Sequence, residues 1–400
     1  MIIIISIGKF LLRLIYCILK LFPTQNQVVF LSRQSDTLPA DYSEIINEIK
    51  EMSLANSHSN SHSNYKIVTL VKRQEKDTKN FLASGIENAQ YLLKQMRAIA
   101  TSKVAVVDGY CIPVSILKHK KSLVIIQIWH AIGAIKKFGL QTLPLMDEHN
   151  YSIAKALKMH QGYSYVVAPS QACGEFFSEA FGVDMSQIEV LGTPHLDYLY
   201  YGENNKKDEI LAEFPALNGK KVILYVPTYR SGGRNERILE IMKDLRKNVD
   251  FDNYALIVKL HPVDYSFFVN DARIKGHVYD ETDNTITITD AFSAEELLSI
   301  TDCVVTDYSS LAFDAGLLGL PFFFYVYDID EYKEKTGLNI DVESEYGKYT
   351  SRDVVKLVSM LDENYDKAYM NKFIEKYISC YDGRCTERLS RFIINMMDPQ

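Results

Sequence analysis

Two α/β domains, each a parallel sheet with crossover helices, are the fold class that this 400-residue chain predicts. Three observations carry the prediction. The length exceeds what one ordinary core fills. Short apolar runs alternate with helical patterns through both halves, the signature of parallel strands joined by helices. A polar, Gly-bearing stretch at 201–208 (YGENNKKD) lies between the halves, where a hinge is expected. The two sheets are expected to face each other across a cleft.

Composition narrows the class further. With 47% apolar and 24% charged residues the chain is globular, and its net charge of −7 argues against a general nucleic-acid binder, which needs a basic face. Cys17, Cys111, Cys173, Cys303, Cys380 and Cys385 form no CxxC pair. Neither a zinc site nor a disulfide framework is indicated, and a reducing, cytosolic compartment is expected.

Residues 1–22 are strongly apolar, yet Ser6, Lys9, Arg13, Tyr16 and Lys20 fall at helical spacing and form one polar stripe. Lys9 and Arg13 interrupt the run of about 20 uncharged residues that a spanning helix needs. Pro23 and its neighbours do not supply a signal-cleavage site. The segment is therefore expected to lie in a membrane interface or to pack on the core, and its basic stripe and wide apolar face favour the interface.

Strands are expected at 28–32, 65–71, 103–108, 123–129, 165–168 and 188–191, with helices at 41–52, 80–100, 148–161 and from Ser170 to Phe181. The repeat NSHSNSHSN at 56–64 reads as a surface loop. The second half has strands at 222–226, 255–260, 285–288 and 322–327, a helix at 294–299 and a helical C-terminus over 353–397. The stretch 304–324 reads as a buried strand ending at Thr306 and Asp307, then a helix begun by Ser309 and Ser310 and stopped by Gly319 and Pro321. Such a strand-to-helix junction can seat a phosphate, although the serines can also serve only as caps.

Ligands of open parallel sheets bind beyond the carboxyl ends of strands. Those ends supply His130, Thr228, Arg230, Lys259, His261, Asp307, Ser309 and Ser310. Together they suit anion binding with an acid or base at hand. GxSxG, Walker and GxGxxG motifs are absent, as are paired catalytic carboxylates and clusters with metal-ligand spacing. No cofactor and no metal is called for. The inventory fits phosphoryl transfer by positioning and charge stabilisation, with His as proton acceptor.

The motifs WHAIGAIKKFG, GTPHLDYL, YVPTYR, VKLHP and TDYSSLAFD with GLPFFFYVYDIDEY resemble the CDP-glycerol glycerophosphotransferases of teichoic-acid synthesis, in the same order from Lys103 to Gly337. The resemblance implies a glycosyltransferase-B-like pair of Rossmann-like domains, peripheral attachment at the cytoplasmic membrane face, and attack of an acceptor hydroxyl on the β-phosphate of CDP-glycerol with CMP leaving. It places the essential imidazoles at His130 and His261. Donor contacts fall on Ala131, Ile132, Gly133, Ala134, His195, Pro227, Thr228, Arg230, Lys259, Ser309, Ser310 and Asp314. Lys136 and Lys137 would meet the lipid pyrophosphate, or are ordinary solvated lysines. His130 is expected to be the base and His261 to bind or protonate phosphate oxygens. HAIGAIK stands where polymerising members carry HGTPLK, and His195 where they carry Arg. The HAIGAIKKFG segment, the short N-terminal region and the overall length are similar to the primase branch, which adds the first glycerol phosphate to undecaprenyl-diphosphate-linked ManNAc-GlcNAc.

The expected divisions are a membrane-associating helix (1–22), an acceptor domain (23–202), a CDP-glycerol domain (203–375) and a C-terminal helix (376–400) that can pack back on the first domain. A CDP-glycerol or CDP-ribitol polymerase or capsule transferase is the alternative within the family. A nucleotide-sugar glycosyltransferase or a membrane-docked interaction protein are the alternatives outside it.

Overall fold

A computed structural model describes residues 2–56, 65–73, 81–230, 234–261, 264–265 and 286–398. The expected loop at 56–64 lies outside them save for its first residue, as does Thr285 at the head of one expected strand. The chain divides into two compact units, residues 1–197 with 377–400, and residues 198–376.

In the first unit, β1 (Gln27–Ser32), β2 (Lys66–Val71), β3 (Val104–Val107), β4 (Val124–Gln127), β5 (Tyr165–Ala168) and β6 (Ile188–Val190) form one parallel sheet in the order β2-β1-β3-β4-β5-β6. Strand β3 is apolar throughout and β1 apolar between Gln27 and Ser32 at its ends, and both are buried throughout, as strands covered on both faces must be. Lys66 and Thr69 leave β2 partly exposed, and β2 takes the edge. The Ser170 hydroxyl accepts from the Cys173 N–H and starts the helix Gln171–Phe181, which Gly182 ends in the left-handed conformation.

The second unit repeats the plan with β7 (Lys221–Val226), β8 (Tyr254–Val258), β9 (Ile286–Ile288), β10 (Cys303–Thr306), β11 (Phe322–Tyr325) and β12 (Thr350–Ser351), in the order β12-β11-β10-β7-β8-β9. Counted within the unit this is 6-5-4-1-2-3, the doubly wound order of dinucleotide-binding sheets. Each sheet reverses its winding once, at β1/β3 and at β7/β10. The stretch 201–208 is built into this unit: the Asn204 amide donates to the Glu295 carbonyl, and the helix Lys207–Glu213 starts inside it.

The last helix, Cys385–Met397, returns to the first sheet. Leu389, Ile393 and Met397 pack with Tyr42, Ile45, Ile46 and Ile49 of the helix Ala40–Asn56. Both its ends are pinned: Asp197 accepts from the Cys385 and Thr386 N–H groups at 3.0 and 2.7 Å, and Lys103 donates to the Met397 carbonyl.

The N-terminal helix Ile2–Leu19 shows its expected polar stripe, and Lys9, Arg13 and Tyr16 of that stripe bond to the rest of the domain. Lys9 donates to the Ala156 carbonyl, Arg13 to the Ile116 carbonyl, and the buried Tyr16 hydroxyl meets His119 Nδ1 at 2.7 Å. The apolar side faces solvent, with Ile3 75%, Phe10 61% and Ile18 63% exposed. No described helix is long and apolar enough to cross a membrane.

Leu389→Ala removes a fully buried side chain from the seam with the helix Ala40–Asn56 and is expected to cost about 2–5 kcal/mol. A thermal melt of the whole chain showing no loss would mean that this helix is not part of the core.

Candidate active-site residues in the two domains

In the first domain the chain leaves β4 through a turn that local sequence would not favour. Trp129 stands at φ 54°, a costly conformation for a bulky residue, worth about 1–3 kcal/mol. Three contacts hold it. Its N–H donates to the Gln127 side-chain oxygen, the same buried Gln127 amide donates to the Gly109 carbonyl, and the indole stacks on Phe138 at 4.8 Å.

That turn presents His130. Its Nδ1 lies 2.9 Å from the Asp108 carbonyl and 3.3 Å from the Gln34 amide nitrogen. A carbonyl only accepts, so the shorter contact puts the ring proton on Nδ1 and leaves the lone pair on Nε2. Burial lowers the proton affinity of His130, the Asp108 carbonyl partly restores it, and the Lys136 charge lowers it again. The ring is thus neutral, and a base, at neutral pH.

His130, Ala131, Ile132 and His195 line one cavity of about 230 Å³, together with Asp41, Asp108 and Thr193. Gly133 and Ala134, next along the chain, are buried and do not line it. Burial raises both carboxyls of the wall to about 6, opposed by contacts with His195 at Asp41 and with the Ser32 hydroxyl at Asp108. Lys136 is half-buried and Lys137 exposed on the chain leaving the site.

In the second domain the carboxyl ends of β10, β7 and β8 are neighbours on one edge. Pro227, Thr228 and Arg230 follow β7. The Thr228 N–H donates to both oxygens of Asp307, which follows β10. Arg230 donates to Asp307 at 2.7 Å, to the Thr228 carbonyl, and through Nε and Nη2 to Asp328. Burial lowers its hold on its proton, and the two carboxylates more than reverse that. The guanidinium was expected to contact the donor; in the structure four hydrogen bonds commit it to tying together the loops after β7, β10 and β11.

Lys259 and His261 follow β8. Burial lowers the Lys259 pKa against the opposing charges of Asp290, Glu295 and Glu296. His261 is exposed and its ring lies 4.7 Å from that of Tyr229. Ser309 and Ser310 stand half-buried where the helix Leu311–Leu317 begins. The Ser309 hydroxyl accepts from the Leu311 N–H at 3.3 Å, whereas the Ser310 side chain makes no capping bond. Asp314 is 4% exposed, and that burial weighs against direct contact with donor hydroxyls.

A family model described as CDP-Glycerol:Poly(glycerophosphate) glycerophosphotransferase matches residues 14–395. The chain belongs to that family. It is a glycerophosphotransferase of the teichoic-acid type. The teichoic acid ribitol-phosphate primase of Bacillus spizizenii is 28% identical over 94% of this chain and 93% of its own length. The teichoic acid glycerol-phosphate primase of Bacillus subtilis is 29% identical over 78% of each. A solved structure of the wall teichoic acid polymerase TagF aligns over 96% of this chain and 93% of its own, with a TM-score of 0.65 at 19% identity, a likeness of fold.

Sequence reasoning about this glycerophosphotransferase overlooked Gln34, Asp41, Asp108 and Thr193 in the first cavity and Asp328 in the second-domain network. Asp108 carried a usable signal, because it ends the apolar run KVAVVD at a strand's carboxyl end. Asp328 carried one too, because it stands in the quoted motif GLPFFFYVYDIDEY, whereas Asp41 carried none, since the first turns of helices hold many such acids.

Arg230→Ala would strand the nearly buried Asp307 beside Asp328. The expected loss is about 3–5 kcal/mol in urea unfolding, with Arg230→Lys recovering only part because it lacks the planar fork.

Proposed function

We propose that this enzyme transfers one glycerol phosphate from CDP-glycerol to undecaprenyl-diphosphate-linked ManNAc-GlcNAc at a membrane surface. The observation that carries the reading is His130, neutral, with Nδ1 committed to the Asp108 carbonyl and Nε2 the basic nitrogen, in a chain of this family. The acceptor hydroxyl attacks the donor's β-phosphorus as its proton passes to Nε2 of His130. The bond from the β-phosphorus to the bridging oxygen breaks, and CMP leaves with that oxygen and the electron pair. His261 and Lys259 stabilise phosphate oxygens, and Ser309, Ser310 and the backbone at Pro227 and Thr228 hold the diphosphate.

Relatives named teichoic acid glycerol-phosphate primase support a priming role with glycerol phosphate, and a TagF variant soaked with CDPG supports the donor class. A second reading, with ribitol in place of glycerol, is favoured by the near full-length match to a ribitol-phosphate primase. Calorimetry with CDP-glycerol and CDP-ribitol separates the two, and the product length on a lipid disaccharide separates primase from polymerase.

His130→Ala and His261→Ala, made separately, are each expected to lower CMP release at least about 100-fold. Survival of both changes within a few-fold would overturn these roles. Because the neutral imidazole is the working form, kcat/KM should fall as the pH drops through the His130 pKa. That midpoint should lie below the ordinary value of 6.5. An acid limb above it would contradict the neutral ring.

The outward apolar face of the helix Ile2–Leu19 supports docking on lipid. Replacing Phe10, Leu14 and Ile18 by Ser is expected to weaken vesicle flotation at least about 100-fold, since each buried side chain contributes about 1.5–3 kcal/mol. Binding should persist at about 1 M salt, because Lys9 and Arg13 are engaged by the Ala156 and Ile116 carbonyls and the outward face is apolar.

A further inference from the structure

Beside the His130 cavity lies a second one, of about 280 Å³, lined by Arg33, Gln34, Tyr110, Trp129 and His160. Gln34 and Trp129 belong to both cavities, so the two adjoin. Their charges are opposite. The His130 cavity has the carboxyls of Asp41 and Asp108 in its wall, whereas Arg33 alone carries a charge at neutral pH among the described residues lining the second. Burial, together with the charge of His130, lowers His160 to about 4, so it contributes a neutral ring there.

Arg33 is placed by the fold. It follows β1, and Tyr110 lies three residues past β3, so both stand at the point where the first sheet reverses its winding. Arg33 Nη1 donates to the Tyr110 carbonyl at 3.1 Å, and its guanidinium lies 6.0 Å from the centre of the Tyr110 ring. His160 lies 5.4 Å from Tyr110 and 5.7 Å from Trp129, so rings make up most of the wall. A guanidinium among rings binds an oxyanion more strongly than one in open water, because the surroundings screen it less.

We propose that the Arg33 cavity is an anion subsite that seats a phosphate group of the acceptor while the hydroxyl to be phosphorylated reaches His130 next door. The acidic wall at Asp41 and Asp108 takes hydroxyls and turns the acceptor's anionic part toward Arg33. Trp129 stands between the two subsites and fixes which end of the acceptor meets the base. This deepens the transfer reaction proposed above and moves the acceptor's phosphate from Lys136 and Lys137 to Arg33.

Three acceptors test it with wild type, Arg33→Gln and Arg33→Lys: a short-chain prenyl-diphosphate disaccharide, the same disaccharide as a neutral alkyl glycoside, and that glycoside bearing one glycerol phosphate. Arg33→Gln should raise KM at least about 10-fold on a charged acceptor, the size expected for one lost charge-assisted bond. It should leave the neutral acceptor and the KM for CDP-glycerol within about 2-fold, and Arg33→Lys should fall between. The charged acceptor that responds identifies the phosphate as that of the lipid anchor or of a polyol-phosphate unit. Equal loss on all three acceptors, or no loss on either charged one, overturns the proposal.

Thermal melts of each variant exclude a folding defect as the cause. Titration of inorganic pyrophosphate by calorimetry reads the subsite without turnover. Binding weakened at least about 10-fold in Arg33→Gln supports it even if wild type transfers nothing and the reaction assignment fails; unchanged binding overturns it.

Discussion

Parallel pairing is the constraint on which the rest of this protein depends. When every strand of a sheet runs the same way, each crossover helix must carry the chain back, and every strand ends on the same edge. Polar residues can be placed on that edge without disturbing the apolar strands behind it. One reversal of winding per sheet then parts the crossover helices and leaves a crevice. In the first domain Arg33 and Asp108 stand there; in the second, Thr228, Arg230 and Asp307 do.

The two domains fill the crevice in different ways. The second closes it with charge: one guanidinium held by Asp307 and Asp328 knits three loops, beside the half-buried serines at the start of Leu311–Leu317. The first uses backbone strain and a backbone carbonyl. A left-handed Trp129 swings the chain so that the imidazole of His130 lands on the Asp108 carbonyl, and a main-chain oxygen chooses the tautomer without adding a negative charge beside it. A carboxylate in that place would raise the proton affinity of the ring; the carbonyl raises it less, and burial prevails.

Much of the fold was legible because buried parallel strands are short, continuous apolar runs: the nine strands expected from 28–32 to 285–288 overlap β1 to β9, and the runs ending at Thr306 and spanning 322–327 overlap β10 and β11. Helices with a polar average were harder to read. Arg234–Asn248 went unassigned although Ile238, Ile241, Met242 and Leu245 repeat at helical spacing, because charged residues surround them. The helix expected to reach residue 161 stops at Ala156, where Lys158 and His160 take positive φ, and nothing in LKMHQG announces that turn. The sheet-edge residues could be named from position alone. What each side chain touches could not: Arg230 reads as an anion ligand in sequence, and only the approach of Asp307 and Asp328, some 77 and 98 residues away, commits it to the loops. Likewise the spacing of Lys9, Arg13 and Tyr16 shows a stripe but not which way it faces.

The closing helix Cys385–Met397 has a bearing on biosynthesis. Residues 198–376 are contiguous and hold all the strands of their own sheet, so this half can form as it leaves the ribosome. The first half cannot. Its seam along Tyr42, Ile45 and Ile49 stays uncovered until Leu389, Ile393 and Met397 have been made. The part translated earliest is therefore completed last, and the nascent chain must carry a bare apolar strip through the synthesis of an entire intervening domain.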